Sequence, residues 1–278
     1  MGRRHKGQLV HGWLNLDKPI GLSSSQAVSR VQRAFDAKKA GHGGTLDPLA
    51  TGILPIAFGE ATKTAAFAMN GVKAYHFGVR WGEARSTDDR EGDVIETHDY
   101  RPAARQIERA LGAFVGTIEQ VPPRYSAVKI DGRRAYDLAR RDKAVELKPR
   151  RVEVRELRLI DVPDTERAVL SMICGKGTYV RALARDLANY LGTVGHVDWL
   201  RRTVVGPFTE TSAISLDKIE ALGHIPPNSS LLMPIETVLD DIPALALTVQ
   251  EAQKLKHGQS ISVLSVAKRS PFKDIEQG

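Results

Sequence analysis

The alternation of apolar and polar positions predicts strands and helices in irregular order along the chain. Val10–Leu16 and Lys73–Trp81 alternate as strands with one buried face do, whereas Glu60–Met69 is predicted to be helical. Val152–Leu159 and Ala168–Cys174 are predicted to be neighbouring antiparallel strands. Because such hairpin-like pairs recur between helices, the pattern predicts an α/β (α+β) fold with a mixed, largely antiparallel sheet.

Local signals mark the start of one helix and the exposed face of another. Ser23 and Gln26 have the spacing of a capping box, in which each side chain bonds the other residue's backbone N–H. Residues 179–191 are predicted to form a second helix, on which Arg181 and Arg185 lie one turn apart and therefore share a face.

A glycine-rich segment, Gly41–Gly52, follows the first predicted helix and has four glycines in twelve residues. Its single acid is Asp47, and Pro48 biases this residue toward an extended backbone. Ile53–Phe58, directly after it, is apolar enough to be buried. The segment therefore predicts a loop that holds the Asp47 carboxylate and the His42 imidazole at the edge of the core. An ordinary turn capped by Asp47 fits the same spacing.

The positive charge is concentrated in one stretch. The chain of 278 residues has a net charge of +7, and residues 122–151 contain ten basic and four acidic side chains. A localised basic segment is typical of a surface that binds a phosphate backbone. A solvated surface patch is the alternative.

Several classes of protein are disfavoured by what the sequence lacks. No apolar run approaches the roughly 18 residues that span a bilayer. The single cysteine, Cys174, excludes an internal disulfide and a cysteine-rich zinc site, and it fits a reducing cytoplasm. The histidines are scattered without an HExxH motif, and neither GxGxxG nor a P-loop is present, so no metal or nucleotide site is predicted.

Four motifs in the first 210 residues closely resemble, in order, those of the TruB family, synthases that make pseudouridine in the T-loop of tRNA. They are Leu16-Asp17-Lys18-Pro19-x-Gly21-x-Ser23-Ser24, the Gly41–Gly52 loop, Lys73-x-Tyr75, and Cys174-x-Lys176-Gly177-Thr178-Tyr179-x-Arg181. The resemblance implies the pseudouridine synthase fold.

The resemblance also implies a role for each matching residue. Asp47 matches the essential aspartate, Arg181 matches the arginine paired with it, and Tyr75 matches the tyrosine that stacks on the target uracil. The other matches are Tyr179, which would line the pocket, His42, which would hold the flipped-out loop, Leu200, a pocket leucine, and Lys18, in a turn near the site. Without the motifs, Arg181 reads as a surface residue, Tyr75 and Leu200 as core residues, and His42 as a loop histidine.

The activity implied by the resemblance is isomerisation of uridine 55 in the T-arm of tRNA after the base is flipped out. It needs no cofactor, because no redox change or energy input is involved. The resemblance further implies a cytoplasmic, stand-alone enzyme; we expect a monomer with no obligate protein partner and no membrane contact. A non-catalytic tRNA-binding or chaperone relative and a base-removing glycosidase are the alternatives, and the reaction products distinguish them.

The expected organisation is a catalytic domain, residues 1–242, followed by a short C-terminal module, residues 243–278. Residues 120–150 are expected to form a basic insertion that clamps RNA, with a helix over Arg134–Arg141. The C-terminal module resembles the start of a PUA-type RNA-binding module that is shortened or degenerate.

Overall fold

The structure is a computed structural model that describes residues 7–126, 129–130, 133–134, 147–240, 242, 244–267 and 269. The chain divides into two compact units, Met1–Thr237 and Val238–Gly278. The catalytic and RNA-binding roles expected for the two parts of the chain stay predictions.

Strands dominate the larger unit. They are β1 Gly12–Lys18, β2 Ala40–His42, β3 Thr51–Phe58, β4 Lys73–Trp81, β5 Glu83–Arg85, β6 Val94–Thr97, β7 Gly116–Gln120, β8 Lys129–Ile130, β9 Arg133–Arg134, β10 Arg150–Asp164, β11 Arg167–Cys174, β12 Gly195–Val205, β13 Phe208–Thr209 and β14 Ile214–Ser215. The described helices are α1 Ser24–Ala34, α2 Ala65–Asn70, α3 Ala104–Leu111, α4 Val180–Tyr190, α5 Leu216–Ala221, α6 Val249–Lys256 and α7 Val263–Ala267.

One large sheet runs through the larger unit in the order β14-β1-β3-β12-β4-β11-β10-β7, with β2 paired to β3 and β13 paired to β12. The pairs β1–β14 and β3–β12 are parallel, and the other pairs of this sheet are antiparallel. The prediction of a mixed, largely antiparallel sheet is therefore confirmed.

The centre of the sheet brings distant parts of the chain together. β12 lies between β3 and β4, so the strand that follows the glycine-rich loop adjoins a strand from late in the chain. Helix α4 packs against both β12 and β4. The end of the glycine-rich loop and the start of α4 thereby reach the same region, although about 130 residues separate them.

The capping signal at the start of the first helix was predicted correctly, but the bounds of the next predicted helix were wrong. Ser23 caps α1 in a capping box with Gln26, as predicted. Glu60–Met69 is not one helix: a 3₁₀ turn, Gly59–Lys63, precedes α2, which begins after Thr64.

The first strand was also misplaced. It covers Gly12–Lys18 rather than Val10–Leu16, and its residues are buried on both faces rather than alternately. The reason is that both faces of the strand are covered: Leu14 and Leu16 pack in the main hydrophobic core, and on the opposite face Trp13 contacts Phe208 and Asn15 donates to Thr209 and Ser212.

The basic insertion is described only in part. β8 and β9 form a short antiparallel hairpin. Residues 121–126, which precede it, have no strand structure. The helix predicted over Arg134–Arg141 lies almost entirely outside the described residues.

The smaller unit contains α6 and α7. Thr248 and Glu251 form a capping box at the start of α6, and Arg269 forms an ion pair with Glu251 at 2.5 Å. Over the described parts of the whole chain, no helix is both long and apolar enough to cross a bilayer.

Candidate active site

The glycine-rich loop is fixed on one side by the start of α1 and the end of β1. Ser24 donates its hydroxyl to the carbonyl oxygen of Leu46 at 2.9 Å and accepts the Leu46 N–H at 2.8 Å. The buried ammonium of Lys18 donates to the carbonyl of Pro48 at 3.4 Å, and the N–H of Gly21 donates to the same oxygen at 2.8 Å. Asp47 is thus held between two anchored neighbours.

The buried guanidinium of Arg202, on β12, fixes the other side of the loop. It donates to the carbonyl oxygens of Gly44 and Thr45 at 3.1 Å each, and to that of Ile53 at 2.8 Å. Gly52 lies beside Arg202 in the parallel β3–β12 pair and has a φ of +99°. A Cβ at position 52 would lie 2.1 Å from the Arg202 carbonyl oxygen, so only glycine fits there.

Asp47 faces an arginine from the first turn of α4. The Nε of Arg181 lies 2.9 Å from Oδ2 of Asp47. The Arg181 side chain is 4% exposed, whereas that of Asp47 is 33% exposed. The guanidinium is therefore locked inside the protein, and it presents a carboxylate that a ligand can still reach. The predicted Asp47–Arg181 contact is present.

Arg181 also binds a second loop, Ser86–Asp93, which lies between β5 and β6. Its Nη1 lies 3.5 Å from Oδ2 of Asp89 and donates to the carbonyl of Thr87 at 2.9 Å. Its Nη2 donates to the carbonyl of Tyr125 at 2.9 Å. All three guanidinium nitrogens are engaged, so the orientation of the group is fixed.

Burial shapes the ionisation of the groups around Asp47. Burial lowers the pKa of Lys18 to about 8, although the Asp47 carboxylate opposes this shift. Burial raises the pKa values of Tyr75 and Tyr179, and the negative charge of Asp47 raises both further. Lys18, Tyr75 and Tyr179 therefore lie within electrostatic range of Asp47, and both phenols are neutral at pH 7.

The remaining predicted residues lie on the central strands and at the start of α4. Tyr75 is buried on β4, directly opposite Arg202 of β12. Leu200 is buried on β12 opposite Phe77. His42 is half-buried and ends β2, five residues before Asp47.

Tyr179 precedes α4, and its backbone is held on both sides by the side chain of Gln120. Its N–H donates to Oε1 of Gln120 at 3.0 Å, and its carbonyl accepts from Nε2 of Gln120 at 3.3 Å. This reciprocal pair joins the end of β7 to the start of the helix that carries Arg181.

Sequence reasoning missed three groups of the site. Arg202 lies on a strand that also carries Asp198 and Arg201, so its charge gives no sign that it is buried. Asp89 and its neighbour Asp88 lie in a polar segment. Their contacts with α4 arise from the tertiary fold, and the local sequence carries no mark of them.

Among the described residues, no three His, Cys, Asp or Glu side chains are grouped so that they could hold a metal ion. The polar groups assembled around Asp47 are cations, phenols, backbone carbonyls and the carboxylates of Asp89 and Glu91. This set suits a polar organic ligand that contains a ring.

Sequence models of one family match most of the chain. The N-terminal domain of TruB family pseudouridylate synthases matches residues 32–180, and the C-terminal domain of tRNA pseudouridylate synthase B matches residues 181–240. The second match lies inside the part of the chain that we assigned to the catalytic domain.

Curated relatives are similar along nearly the whole chain. A tRNA pseudouridine synthase B from Rhodospirillum rubrum is 56% identical over 278 residues, which is 100% of this chain and 90% of the relative. Another from Caulobacter vibrioides is 56% identical over 264 residues, which is 95% of this chain and 85% of the relative.

Solved structures share the fold. A chain in a crystal structure of a Cbf5-Nop10-Gar1 complex has a TM-score of 0.69 and 25% identity, over 91% of this chain and 68% of that one. One from an archaeal box H/ACA sRNP Nop10-Cbf5 complex also has a TM-score of 0.69, at 23% identity, over 91% of this chain and 69% of that one. On these family matches and on 56% identity to relatives aligned over most of their length, the chain belongs to the TruB family of pseudouridylate synthases.

Proposed function

We propose that this chain isomerises uridine to pseudouridine in tRNA, at uridine 55 of the T-loop, with Asp47 as its catalytic residue. The observation that carries the proposal is the partly exposed Asp47 carboxylate, held 2.9 Å from the buried Arg181 guanidinium. Membership of the TruB family supports the same reaction.

The reaction moves the glycosidic bond from N1 to C5 of the base. The C1′–N1 bond breaks, the detached uracil turns within the site, and a C1′–C5 bond forms. C5 loses a proton and N1 gains one, so atoms and electrons balance without a cofactor. The chain has to supply stabilisation of charge at C1′ and retention of the free base.

Asp47 meets the first demand only when it is ionised. A carboxylate can bond to C1′, or it can remove a sugar proton, and both routes start from the anion. The contact with the Arg181 guanidinium fixes the orientation of the carboxylate. Arg202 and Lys18 add positive charge behind the loop without occupying the carboxylate, because they donate to backbone carbonyls.

Retention of the base falls to the aromatic residues near Asp47. Tyr75 is the proposed stacking partner for uracil, and base–aromatic stacking is worth about 1–3 kcal/mol per base. Because burial raises the pKa of Tyr75, its phenol stays protonated and can exchange a proton with the base. Tyr179 and Leu200 would close the pocket against water.

Extraction of the base from the stacked T-loop costs a few kcal/mol, and contacts with the rest of the T-arm offset this cost. Basic side chains of residues 120–150 are suited to phosphate contacts. Lys148 and Arg150 are two exposed ones that the structure describes. His42 is proposed to hold the unstacked loop.

Tritium release from tRNA labelled at C5 of uridine tests the proposal, because formation of the C5 bond expels that hydrogen. We expect release by the wild-type protein and none by Asp47→Asn, with binding of tRNA retained by both. Asp99→Asn makes the same charge change at an exposed position and should leave the rate unchanged. A transcript in which cytidine replaces uridine 55 should release no tritium.

Other outcomes would identify a different protein. Accumulation of free uracil would indicate a glycosidase. Binding of tRNA without release by the wild type would indicate a non-catalytic relative, and equal release by Asp47→Asn would remove Asp47 from the chemistry.

A further inference from the structure

Two arginines on α4 bind the same two segments of the chain. Arg181 donates to the carbonyls of Thr87 and Tyr125. Arg185, one turn later, lies 2.9 Å from Oδ2 of Asp88 through Nη1 and donates to the carbonyl of Val121 at 2.8 Å through Nη2. Each arginine thus joins the Ser86–Asp93 loop to residues 121–125, at the start of the basic insertion.

Asp88, which pairs with Arg185, has an unusual backbone conformation. Its φ is +60°, in the left-handed region that residues other than glycine, asparagine and aspartate rarely adopt. This conformation turns the chain so that Thr87 and Asp89 both face Arg181, while Asp88 itself faces Arg185. The strain needs compensating contacts.

Those contacts are present around Asp88. Its N–H donates to the carbonyl of Arg85 at 3.0 Å, and its carbonyl accepts the N–H of Val197 on β12 at 3.1 Å. The N–H of Arg90 donates back to the carbonyl of Val197 at 3.0 Å. The loop is thereby attached to the strand that also carries Leu200 and Arg202.

The Asp88–Arg185 pair is partly withdrawn from water. The side chains of Asp88 and Arg185 are 17% and 25% exposed, and Nε of Arg185 also lies 2.9 Å from Oδ1 of Asp186. An ion pair this sheltered is screened less than a surface pair, and removal of one partner leaves the other poorly compensated. The pair therefore constrains the position of the Ser86–Asp93 loop.

We propose that Asp88 and Arg185 are positioning residues for the reaction, because they set the Ser86–Asp93 loop and residues 121–125 around Arg181. This inference rests on the proposed function and extends it. Neither residue touches the reacting atoms. Both act through Arg181, whose orientation depends on Thr87, Asp89 and Tyr125.

Asp88→Asn isolates the charge of the pair, since asparagine has the same shape and tolerates a left-handed backbone. We expect the single-turnover rate of tritium release to fall about tenfold, because a small displacement of an aligned charge costs rate. The dissociation constant for tRNA should stay within twofold of wild type. Asp36→Asn is the matched control, since Asp36 is the other described non-glycine residue with positive φ, at 44°.

A double-mutant cycle with Arg185→Gln tests whether the two side chains act as one unit. If they do, Asp88→Asn combined with Arg185→Gln should lose no more rate than Arg185→Gln alone. If the rate loss of the double variant equals the product of the two single losses, the side chains act independently and the proposed pairing is wrong. A lowered melting temperature with an unchanged rate in both single variants would overturn the positioning role.

Hydrogen exchange gives an answer that does not depend on the activity. Asp88→Asn should lose protection at the amide of Arg90, which bonds to Val197. If wild type releases no tritium, the proposed function fails, and exchange alone decides the positioning role. Unchanged protection of the Arg90 amide would then overturn it.

Discussion

The Gly41–Gly52 loop and the Ser86–Asp93 loop meet at Arg181, but they are held there in opposite ways. The first is fixed through its backbone, since Lys18 and Arg202 donate to its carbonyl oxygens. The second is fixed largely through carboxylates, since Asp88 and Asp89 pair with arginines of α4. The first arrangement leaves the Asp47 carboxylate available, whereas the second uses the carboxylates of Asp88 and Asp89 to support the loop.

This difference explains the division of roles that we propose. A loop held by its carbonyls can offer Asp47 to a substrate without losing its shape. In the second loop, Asp88 and Asp89 are engaged by arginines of α4, and the loop determines instead where Arg181 lies. The catalytic group and its support therefore come from two loops with different chemistry, joined by one guanidinium.

The largest effect should come from a change at Arg181, which contacts both loops. Arg181→Lys keeps the charge but cannot reach Asp47, Asp89 and two carbonyls together. We expect the rate of tritium release to fall about a thousandfold, since loss of one preorganised hydrogen-bond donor at a reacting centre typically costs about 10²–10³ in rate. Single-turnover assays with saturating enzyme measure this loss.

The matched control is Arg30→Lys, on the exposed side of α1, where Arg30 lies 3.5 Å from Glu220. Its effect should be within twofold, because an exposed pair contributes little. A similar loss in both variants would mean that the effect on the rate is not specific to the site.

The next largest effect should come from the backbone of the first loop. Gly52→Ala places a Cβ 2.1 Å from the Arg202 carbonyl and forces a side chain into a backbone with φ +99°. We expect the free energy of unfolding to fall by about 3 kcal/mol, measured by urea denaturation. Gly21 has a φ of +84°, and a Cβ added there would have no atom within 4 Å. Gly21→Ala should therefore lower the free energy of unfolding by about 1 kcal/mol through backbone strain alone. Equal losses would show that the contact with Arg202 is unimportant.

The two loops also show how far the sequence reaches. The glycines, Asp47 and Pro48 mark the first loop locally, because a sharp chain path requires particular residues at particular positions. The capping box at Ser23 and the strand over Lys73–Trp81 were likewise readable from adjacent residues. Motif resemblance then supplied Arg181, which local pattern alone assigns to a surface.

The second loop could not be read in this way. Asp88 and Asp89 acquire their roles because β4, β12 and α4 bring distant residues to one place, and no local pattern encodes that meeting. Arg202 is similar, since its partners lie about 150 residues earlier in the chain. The first strand was misjudged for the related reason that residues 208–212, about 195 positions later, cover the face that the pattern left exposed.

The last predicted effect concerns the buried cation behind the first loop. Burial lowers the pKa of Lys18 in the folded protein to about 8, below its ordinary value of 10.5. Between pH 8 and 10.5 the unfolded chain therefore binds the proton more tightly than the folded one. The contribution of Lys18 to the free energy of unfolding should rise with pH across this window and stay constant below it.

Comparison with Lys18→Met isolates this contribution, because other groups that titrate in the window, such as the buried Lys73, are present in both proteins. The free energy of unfolding of wild type minus that of the variant should be flat from pH 6.5 to 7.5 and should increase from pH 8 to 10 in urea titrations. A difference that stays constant with pH would mean that the Lys18 ammonium is as well solvated in the folded protein as in the unfolded chain. Burial would then impose no electrostatic cost on Lys18, whose partners are the carbonyls of Pro19, Leu22 and Pro48. The position of the loop would depend instead on Arg202 and Ser24.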